Sequence, residues 1–237
     1  MAEQEEYKEK FAPIYHSNEQ VHRYDALIAA EDWEGNILEC LRRVVQIPES
    51  AVVVDMGAGT GRLSVLLHPI CSQLYLYDIA EEMLQVAERK LAAGKGNAPY
   101  EAHVADNRTI PRPDSSADLV IEGWSFGHMG VEDALQAVRE MERVSRGHCV
   151  ILETKTTASR VPLPPSPTLA KLYDRLEGEM GYASCDIRTD YRFKSRQEAE
   201  QLVSFFFGAE MAKQALDILR PDFVLPECTG VWWKKVG

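Results

Sequence analysis

Hydrophobic residues recur along this chain with two different periods, and the alternation of these periods predicts an α/β fold. Short apolar runs predict strands, which cover 51–55, 73–78, 99–104, 117–121 and 147–153. Helical spacing of apolar positions predicts helices between them, which run from about 62 to 69, over 80–92 and around 131–144. Strands that alternate with helices form βαβ units, so we expect a doubly wound, mostly parallel sheet with helices on both faces.

Two amphipathic helices precede the first strand, over 19–30 and 36–45, and Pro48 ends this region. Asn36 followed by Glu39 resembles a capping box at the start of the second helix. We expect both helices to pack on the sheet or to cap a crevice at its edge.

The regular alternation of strands and helices ends at Thr156. A proline-rich stretch over 161–167 and a helix over 168–179 follow, and they form either a lid over a pocket or a surface linker with a packed helix. The strict alternation over 187–193 predicts a strand, and Ser195 with Glu198 predicts a capped helix after it. A last helix reaches Arg220, and 223–235 should form an antiparallel strand at the sheet edge.

The length of 237 residues fits one domain, for which we expect four parts. These are an N-terminal helical cap over 1–48, a ligand-binding core over 49–155, a lid-like insertion over 156–185, and C-terminal strands and helices over 186–237.

The composition restricts the classes of partner. The net charge of −11 argues against a nucleic-acid partner, because a phosphate backbone would be repelled. No apolar run approaches the length of a membrane span, and the charged first ten residues do not resemble a secretion signal. The five scattered cysteines fit reduced thiols and a cytoplasmic location.

The first predicted strand runs into a glycine loop, which we define as residues 57–61. Glycine at alternate positions lets a ligand approach the backbone, and the helix that follows offers unpaired N–H groups. The loop lacks the Gly-Lys-Ser/Thr ending of a phosphate-binding P-loop. It also has Arg62 where the dinucleotide fingerprint has its third glycine.

Two acidic residues follow the next two strands. Asp78 comes about 20 residues after the first glycine, where a carboxylate can accept both hydroxyls of a ribose, although the same residue could be a helix cap. Asp106 and Asn107 follow the third strand, where a turn-forming role for Asp106 is the alternative.

These features and the segment 121–129 together resemble the core of the class I S-adenosylmethionine (SAM)-dependent methyltransferases, over residues 50 to about 155. The resemblance implies a Rossmann-like, seven-stranded sheet with an antiparallel last strand and SAM across the carboxyl ends of the first strands. The glycine loop would contact the methionine part, Asp78 the ribose and Asp106 the adenine. The cofactor-binding residues that it implies are Asp55, Gly57, Ala58, Gly59, Gly61, Asp78, Ile79, Asp106, Asn107, Glu122 and Gly123.

The segment after the fourth strand bears on the methyl acceptor. It lacks the Asn/Asp-Pro-Pro-Tyr/Phe motif of many enzymes that methylate nucleic-acid bases, and it resembles the small-molecule branch of the family. A small-molecule substrate is therefore expected. Methylation of a protein or tRNA and a non-catalytic SAM-binding role are the alternatives. The acceptor and the oligomeric state are open.

Methyl transfer requires mainly alignment of the reactants, and a general base helps only some acceptors. The first candidate for such a base is His128, for which a structural role is the alternative. Tyr24 in the cap is the second, with packing of the cap as its alternative, and Glu122 and His16 follow. No carboxylate–histidine cluster suggests a metal site, so none is expected.

Overall fold

The computed structural model describes residues 11–155 and 167–236, and within these ranges seven strands form one central sheet. The strands of this sheet are β1 (Val52–Met56), β2 (Gln73–Asp78), β3 (Tyr100–Val104), β4 (Ala117–Gly123), β5 (Ser145–Thr154), β6 (Ala183–Arg188) and β9 (Cys228–Lys235). The short strands β7 (Tyr191–Arg192) and β8 (Val224–Leu225) form a separate ribbon.

The order of strands in the sheet is β3-β2-β1-β4-β5-β9-β6. Strands β1 to β5 are parallel, and β9 is antiparallel to both of its neighbours. The predicted mostly parallel seven-stranded sheet with an antiparallel last strand is therefore confirmed. The last strand lies one place in from the edge, because β6 pairs with its outer side.

Helices cover both faces of the sheet, as predicted. The helices of the described ranges are α1 (Ala12–Tyr15), α2 (Asn18–Ile28), α3 (Asn36–Val44), α4 (Arg62–Leu67), α5 (Glu81–Ala93), α6 (Val131–Val144), α7 (Pro167–Gly178), α8 (Arg196–Phe207) and α9 (Ala209–Ile218). Of these, α3 to α7 cover the two faces. Apart from Asp55, strand β1 is apolar because both of its faces are buried: Val53 joins the core under α3, α4 and α5, whereas Val54 joins the core under α6 and α7.

The segment 187–193 does not form the single strand that its alternation predicts. The chain turns between Arg188 and Tyr191, so that β6 belongs to the main sheet and β7 to the ribbon. The turn is held by Asp190, whose carboxylate accepts hydrogen bonds from the Arg188 side chain and from the Glu227 backbone N–H. The buried hydrogen bonds of Asp190 therefore decide the path of the chain here, although the alternation of residues favours a continuous strand.

The sequence suggests that Asn36 caps the N-terminus of α3, but Asn36 is the first residue of the helix and does not cap it. The carboxylate of Asp32 accepts hydrogen bonds from the N–H groups of Asn36 and Ile37, at 2.8 and 3.1 Å. The capping prediction for Ser195 is confirmed, because its hydroxyl accepts a hydrogen bond from the Glu198 N–H.

The cap over the sheet edge combines both ends of the described chain. Leu27 of α2 packs with Val203 of α8 and Leu225 of β8. Phe11 and Tyr15, at the start of the described chain, pack against Met83 and Val86 of α5.

The expected lid falls partly on residues 156–166, which lie outside the described residues. The part that is described, α7, contributes Leu172 and Leu176 to the core beside α6, as a packed helix would. Of the helices in the described ranges, none has the length and apolar character that crossing a membrane requires.

Candidate active site

A cavity that we call the main cavity opens at the carboxyl edge of β1, β2, β3 and β4, below the cap. The residues that line it are Tyr15, Tyr24, Gly57, Gly59, Asp78, Ile79, Met83, Ala105, Asp106, Asn107, Arg108, Gly123, Trp124, Ser125, His128, Met129 and Asp133. It therefore joins the glycine loop and the ends of β2, β3 and β4 to several aromatic rings. In open α/β sheets, ligands bind at this edge.

The three glycines of the loop are needed for different physical reasons. Gly57 has φ +68°, and a Cβ there would lie 2.7 Å from the Ser125 hydroxyl oxygen, so no larger residue fits. Gly59 lines the cavity with φ +52°. Gly61 does not line this cavity, nor a second, smaller cavity that lies behind the loop. It packs against α5, where an added Cβ would lie 2.8 Å from the Cβ of Ala87. Gly61 therefore sets the approach of two helices.

Asp78 connects the glycine loop to α5. One carboxylate oxygen accepts a hydrogen bond from the Gly59 N–H at 2.8 Å, and the other accepts one from the Ala80 N–H at 2.9 Å. Burial raises the pKa of this carboxyl group, and the hydrogen bonds counteract that rise. Asp78 therefore holds both elements while its carboxylate lines the cavity.

Exposed apolar surface lies beside Asp78. Ile79 exposes 56% of its surface and lines the cavity together with Met83 and Ala105. Such exposure of a large aliphatic side chain in a concave site is typical of a surface that a ligand covers.

Asp106 is already engaged by a neighbour. The Arg108 guanidinium donates to both oxygens of Asp106 and, through Nη1, to Asp133 at 3.1 Å. This guanidinium holds the pKa of Asp106 below its usual range. A ligand group that approaches Asp106 would meet a carboxylate that is half-exposed and paired.

Beneath the cavity, a chain of hydrogen bonds fixes Ser125. Its N–H and hydroxyl both donate to one oxygen of Glu122, at 2.7 Å each. The Asn107 amide in turn donates to the Ser125 hydroxyl oxygen at 3.2 Å. Glu122 is fully buried and does not line the cavity, so it positions Ser125 rather than contacting a ligand.

Glu122 has a second buried acid beside it, Glu153 of β5. Burial and the neighbouring Glu153 raise the pKa of Glu122 well above its usual value. Burial also raises the pKa of Glu153 to about 7, although the backbone N–H groups of Gly127 and Thr154 donate to it. The pKa values of both carboxyl groups are therefore raised, because the two acids share one buried site.

The other end of the main cavity, which we call the aromatic end, consists of Tyr15, Tyr24, Trp124 and His128. The Tyr15 hydroxyl and His128 Nε2 are hydrogen-bonded at 3.0 Å, and Tyr15 packs edge-on against Tyr24. Burial raises the pKa of the Tyr24 hydroxyl, so Tyr24 is a hydrogen-bond donor rather than a base at neutral pH. His128 is the imidazole at this end.

The predicted residues Asp55 and Ala58 line only a smaller cavity behind the glycine loop, where Thr60 and Arg62 lie beside them. Ser64 donates to the Asp55 carboxylate, and burial raises the pKa of Asp55 to about 7. The buried Thr60 hydroxyl has no hydrogen-bond partner within the described residues. A polar ligand group or a water molecule would satisfy it.

The structure thus brings most of the predicted site residues to the carboxyl edge of the sheet, and a few of them lie away from the main cavity. His16 lies outside the main cavity, 3.5 Å from Glu82. The described residues contain no group of three or more potential ligands arranged to hold a metal ion. Sequence reasoning missed Tyr15, for which the apolar stretch 11–15 after a charged N-terminus was the available signal.

Comparison with known proteins agrees with this geometry. Residues 53–147 match the family described as a methyltransferase domain. The ubiquinone/menaquinone biosynthesis C-methyltransferase UbiE of Hahella chejuensis is 35% identical over 130 residues, which is 52% of this chain and 48% of that protein. The chain thus spans about half the length of the curated relatives that it matches first.

Two solved structures share the fold. The SAM-dependent methyltransferase of Aquifex aeolicus has a TM-score of 0.56 at 18% identity, over 92% of this chain and 97% of that one. Magnesium protoporphyrin IX methyltransferase of Synechocystis PCC 6803, solved with bound S-adenosylhomocysteine (SAH), has a TM-score of 0.53 at 16% identity, over 86% of this chain and 81% of that one.

Proposed function

We propose that this chain, whose core belongs to the class I SAM-dependent methyltransferases, transfers the methyl group of SAM to a small molecule. One observation carries the proposal: a single cavity joins the glycine loop and Asp78 to the aromatic end that holds His128. A cofactor at the first part would present its reactive group toward the second.

The residues at the glycine-loop side fit SAM. Each oxygen of Asp78 accepts one backbone hydrogen bond and retains a lone pair for a ribose hydroxyl. The exposed side chain of Ile79 offers an apolar surface for the adenine ring. The unpartnered hydroxyl of Thr60 offers a polar contact behind the loop, where the methionine part would end.

Of the remaining residues expected to bind the cofactor, some would contact it directly and others would support the residues that do. Gly57, Gly59, Asn107, Gly123 and Asp106 line the main cavity, so they would touch the cofactor directly. For Asp106, binding of the adenine amino group would share the carboxylate with Arg108. Asp55, Ala58, Gly61 and Glu122 would act through the shape of the loop and of the strand ends.

The aromatic end supports a small, flat acceptor. Tyr15, Tyr24 and Trp124 offer ring faces and edges, which favour aromatic ligands. The UbiE relative is named for the biosynthesis of quinones, which is in keeping with a ring-shaped acceptor. SAM supplies an activated methyl group, so the protein's task is alignment and, for a hydroxyl-bearing acceptor, acceptance of one proton.

His128 is the residue that would accept this proton, because it lines the aromatic end and its ring is held by Tyr15. Tyr24 would donate a hydrogen bond to the acceptor. The five free thiols are in keeping with a cytoplasmic enzyme.

The test uses SAM with an isotopically labelled methyl group and three substrate mixtures: a small-molecule extract, total RNA and total protein. We expect label in the small-molecule fraction, and less of it with the Asp78→Asn variant when SAM is limiting. Label only in RNA or protein would replace the small-molecule assignment. SAM binding in calorimetry without label in any fraction would establish the non-catalytic alternative.

A further inference from the structure

We propose that Cys40 and Cys185 form a reversible disulfide by exchange with a low-molecular-weight disulfide such as oxidised glutathione. Cys40 lies on α3 and Cys185 lies on the edge strand β6, 145 residues apart in sequence. The bond would join the helix layer at the N-terminus to the outermost strand of the sheet.

The positions of the two sulfur atoms carry this proposal. They are 3.7 Å apart, which is thiol contact within the folded protein. A disulfide needs about 2.05 Å between the sulfurs, so modest rotation of the two side chains has to bring them together. Helix α3 and strand β6 pack directly against each other, which holds both backbones in place during that rotation.

A cation lies beside both thiols. The Arg43 guanidinium nitrogen Nη2 is 3.7 Å from the sulfur of Cys40 and 3.7 Å from that of Cys185. A neighbouring cation favours the thiolate, which is the form that attacks a disulfide.

The exposure of the two thiols determines which of them reacts first with the small disulfide. Cys185 is half-buried on an edge strand, whereas Cys40 exposes 3% of its surface. Burial raises the pKa of Cys40 to about 11, which suits a thiol that reacts second, within the protein. The small disulfide therefore meets Cys185 first.

The exchange balances as two displacements. The Cys185 thiolate attacks one sulfur of oxidised glutathione, which forms a mixed disulfide and releases one glutathione thiolate. Cys40 then loses its proton and attacks the Cys185 sulfur, which releases the second glutathione. The protein is oxidised by two electrons, and one oxidised glutathione is reduced to two thiols.

The experiment incubates the folded full chain with defined ratios of reduced to oxidised glutathione, then traps the remaining thiols with an alkylating reagent. Peptide mapping should show a linked pair of peptides that contain Cys40 and Cys185, with an intact mass about 2 Da below that of the reduced protein. Reducing agent should restore both thiols.

Three variants sharpen the result. Cys185→Ser should lose the linked pair, whereas Cys71→Ser should keep it, because the Cys71 thiol lies beside the His68 carbonyl, 3.9 Å away, and not beside the pair. Arg43→Gln should slow the exchange at neutral pH relative to its exposed neighbour variant Arg42→Gln. Since wild-type mapping needs no substitution, a variant that fails to fold does not decide the outcome.

Persistent free thiols in the folded protein, or a glutathione adduct on Cys185 that Cys40 never displaces, would overturn the proposal. So would a different linked pair in wild type. Equal exchange rates in the Arg43→Gln and Arg42→Gln variants would remove the role of the cation.

Discussion

The guanidinium of Arg62 lies over the ring of Trp124, 3.3 Å from the ring centre, and also pairs with the buried carboxylate of Glu31. Arg62 begins α4 directly after the glycine loop, Trp124 follows β4 in the left-handed region at φ +58°, and Glu31 follows α2. One side chain therefore connects the N-terminal helices to a strained residue in the wall of the main cavity. Strained backbone of this kind persists only when its surroundings hold it in place.

Substitution of Arg62 by Met should destabilise the protein by about 3 kcal/mol, because it leaves the Glu31 carboxylate buried without a cation. The double variant Glu31→Gln/Arg62→Met should lose less than the single one, since it buries no unpaired charge. Urea unfolding of wild type, both single variants and the double variant measures the coupling. Additive losses would show that the two residues act independently.

Gly57→Ala should weaken SAM binding and lower stability by more than the roughly 1–2 kcal/mol of left-handed strain alone. The added methyl group would lie 2.7 Å from the Ser125 hydroxyl, so the floor of the main cavity has to shift. Gly181→Ala is the matched control, because Gly181 has φ +74° but no atom within 4 Å of an added Cβ. Equal losses in the two variants would mean that the Ser125 contact has no effect.

Asp78→Asn should weaken SAM binding by about 10-fold or more, as expected for loss of a charge-assisted hydrogen bond. It should also cost about 1 kcal/mol of stability, because Asp78 supports the backbone of Gly59 and Ala80. Asp32→Asn is the control: Asp32 caps α3 in the same manner and does not line the main cavity. Calorimetry should show normal SAM affinity for the Asp32 variant, and a normal value for the Asp78 variant would reduce Asp78 to a cap.

Glu153→Gln should change the dependence of stability on pH between about pH 5 and 7.5. The pKa of Glu153 is raised to about 7 by burial, so in this window the folded state binds more protons than the unfolded state. Glu153 therefore makes the free energy of unfolding of wild type fall as the pH rises through about 7. The variant should lose part of this fall, and the rest arises from groups such as Asp55.

The control for the pH experiment is Glu140→Gln. Arg143 holds the pKa of Glu140 below its usual value, so Glu140 is ionised throughout the window in both states. Unfolding free energies measured at each pH should therefore show an unchanged slope for this variant. An unchanged slope in the Glu153 variant would mean that Glu153 is ionised in the folded protein.

His128→Ala should lower the turnover number by about 10²–10⁴-fold while SAM affinity remains near that of wild type, if His128 accepts the proton of the methyl acceptor. Tyr15→Phe should lower turnover less, because it removes only the hydrogen bond that holds the imidazole. His103→Ala, on the exposed face of β3, is the control. A variant at His128 that raises the Michaelis constant alone would assign it to acceptor binding.

The sequence by itself determined the order of strands and helices over about 51–153 and the position of the glycine loop. Strand β1 is apolar except at Asp55, because it is buried on both faces, and glycine is required where the loop backbone turns with positive φ. Both signals lie within a few consecutive residues, so they can be read without knowledge of the fold. Asp78 could be placed because a carboxylate at the end of the second parallel strand must lie beside the loop after the first.

Only the tertiary structure decided which distant side chains meet. The Tyr15–His128 bond joins residues 113 positions apart, Cys40 meets Cys185 across 145 positions, and Arg62 meets Trp124 from another element. Local periodicity also failed at 187–193, where the buried hydrogen bonds of Asp190 turn the chain away from the sheet. Sequence patterns encode the burial and backbone conformation of each element, whereas contacts between elements depend on how the packed layers align.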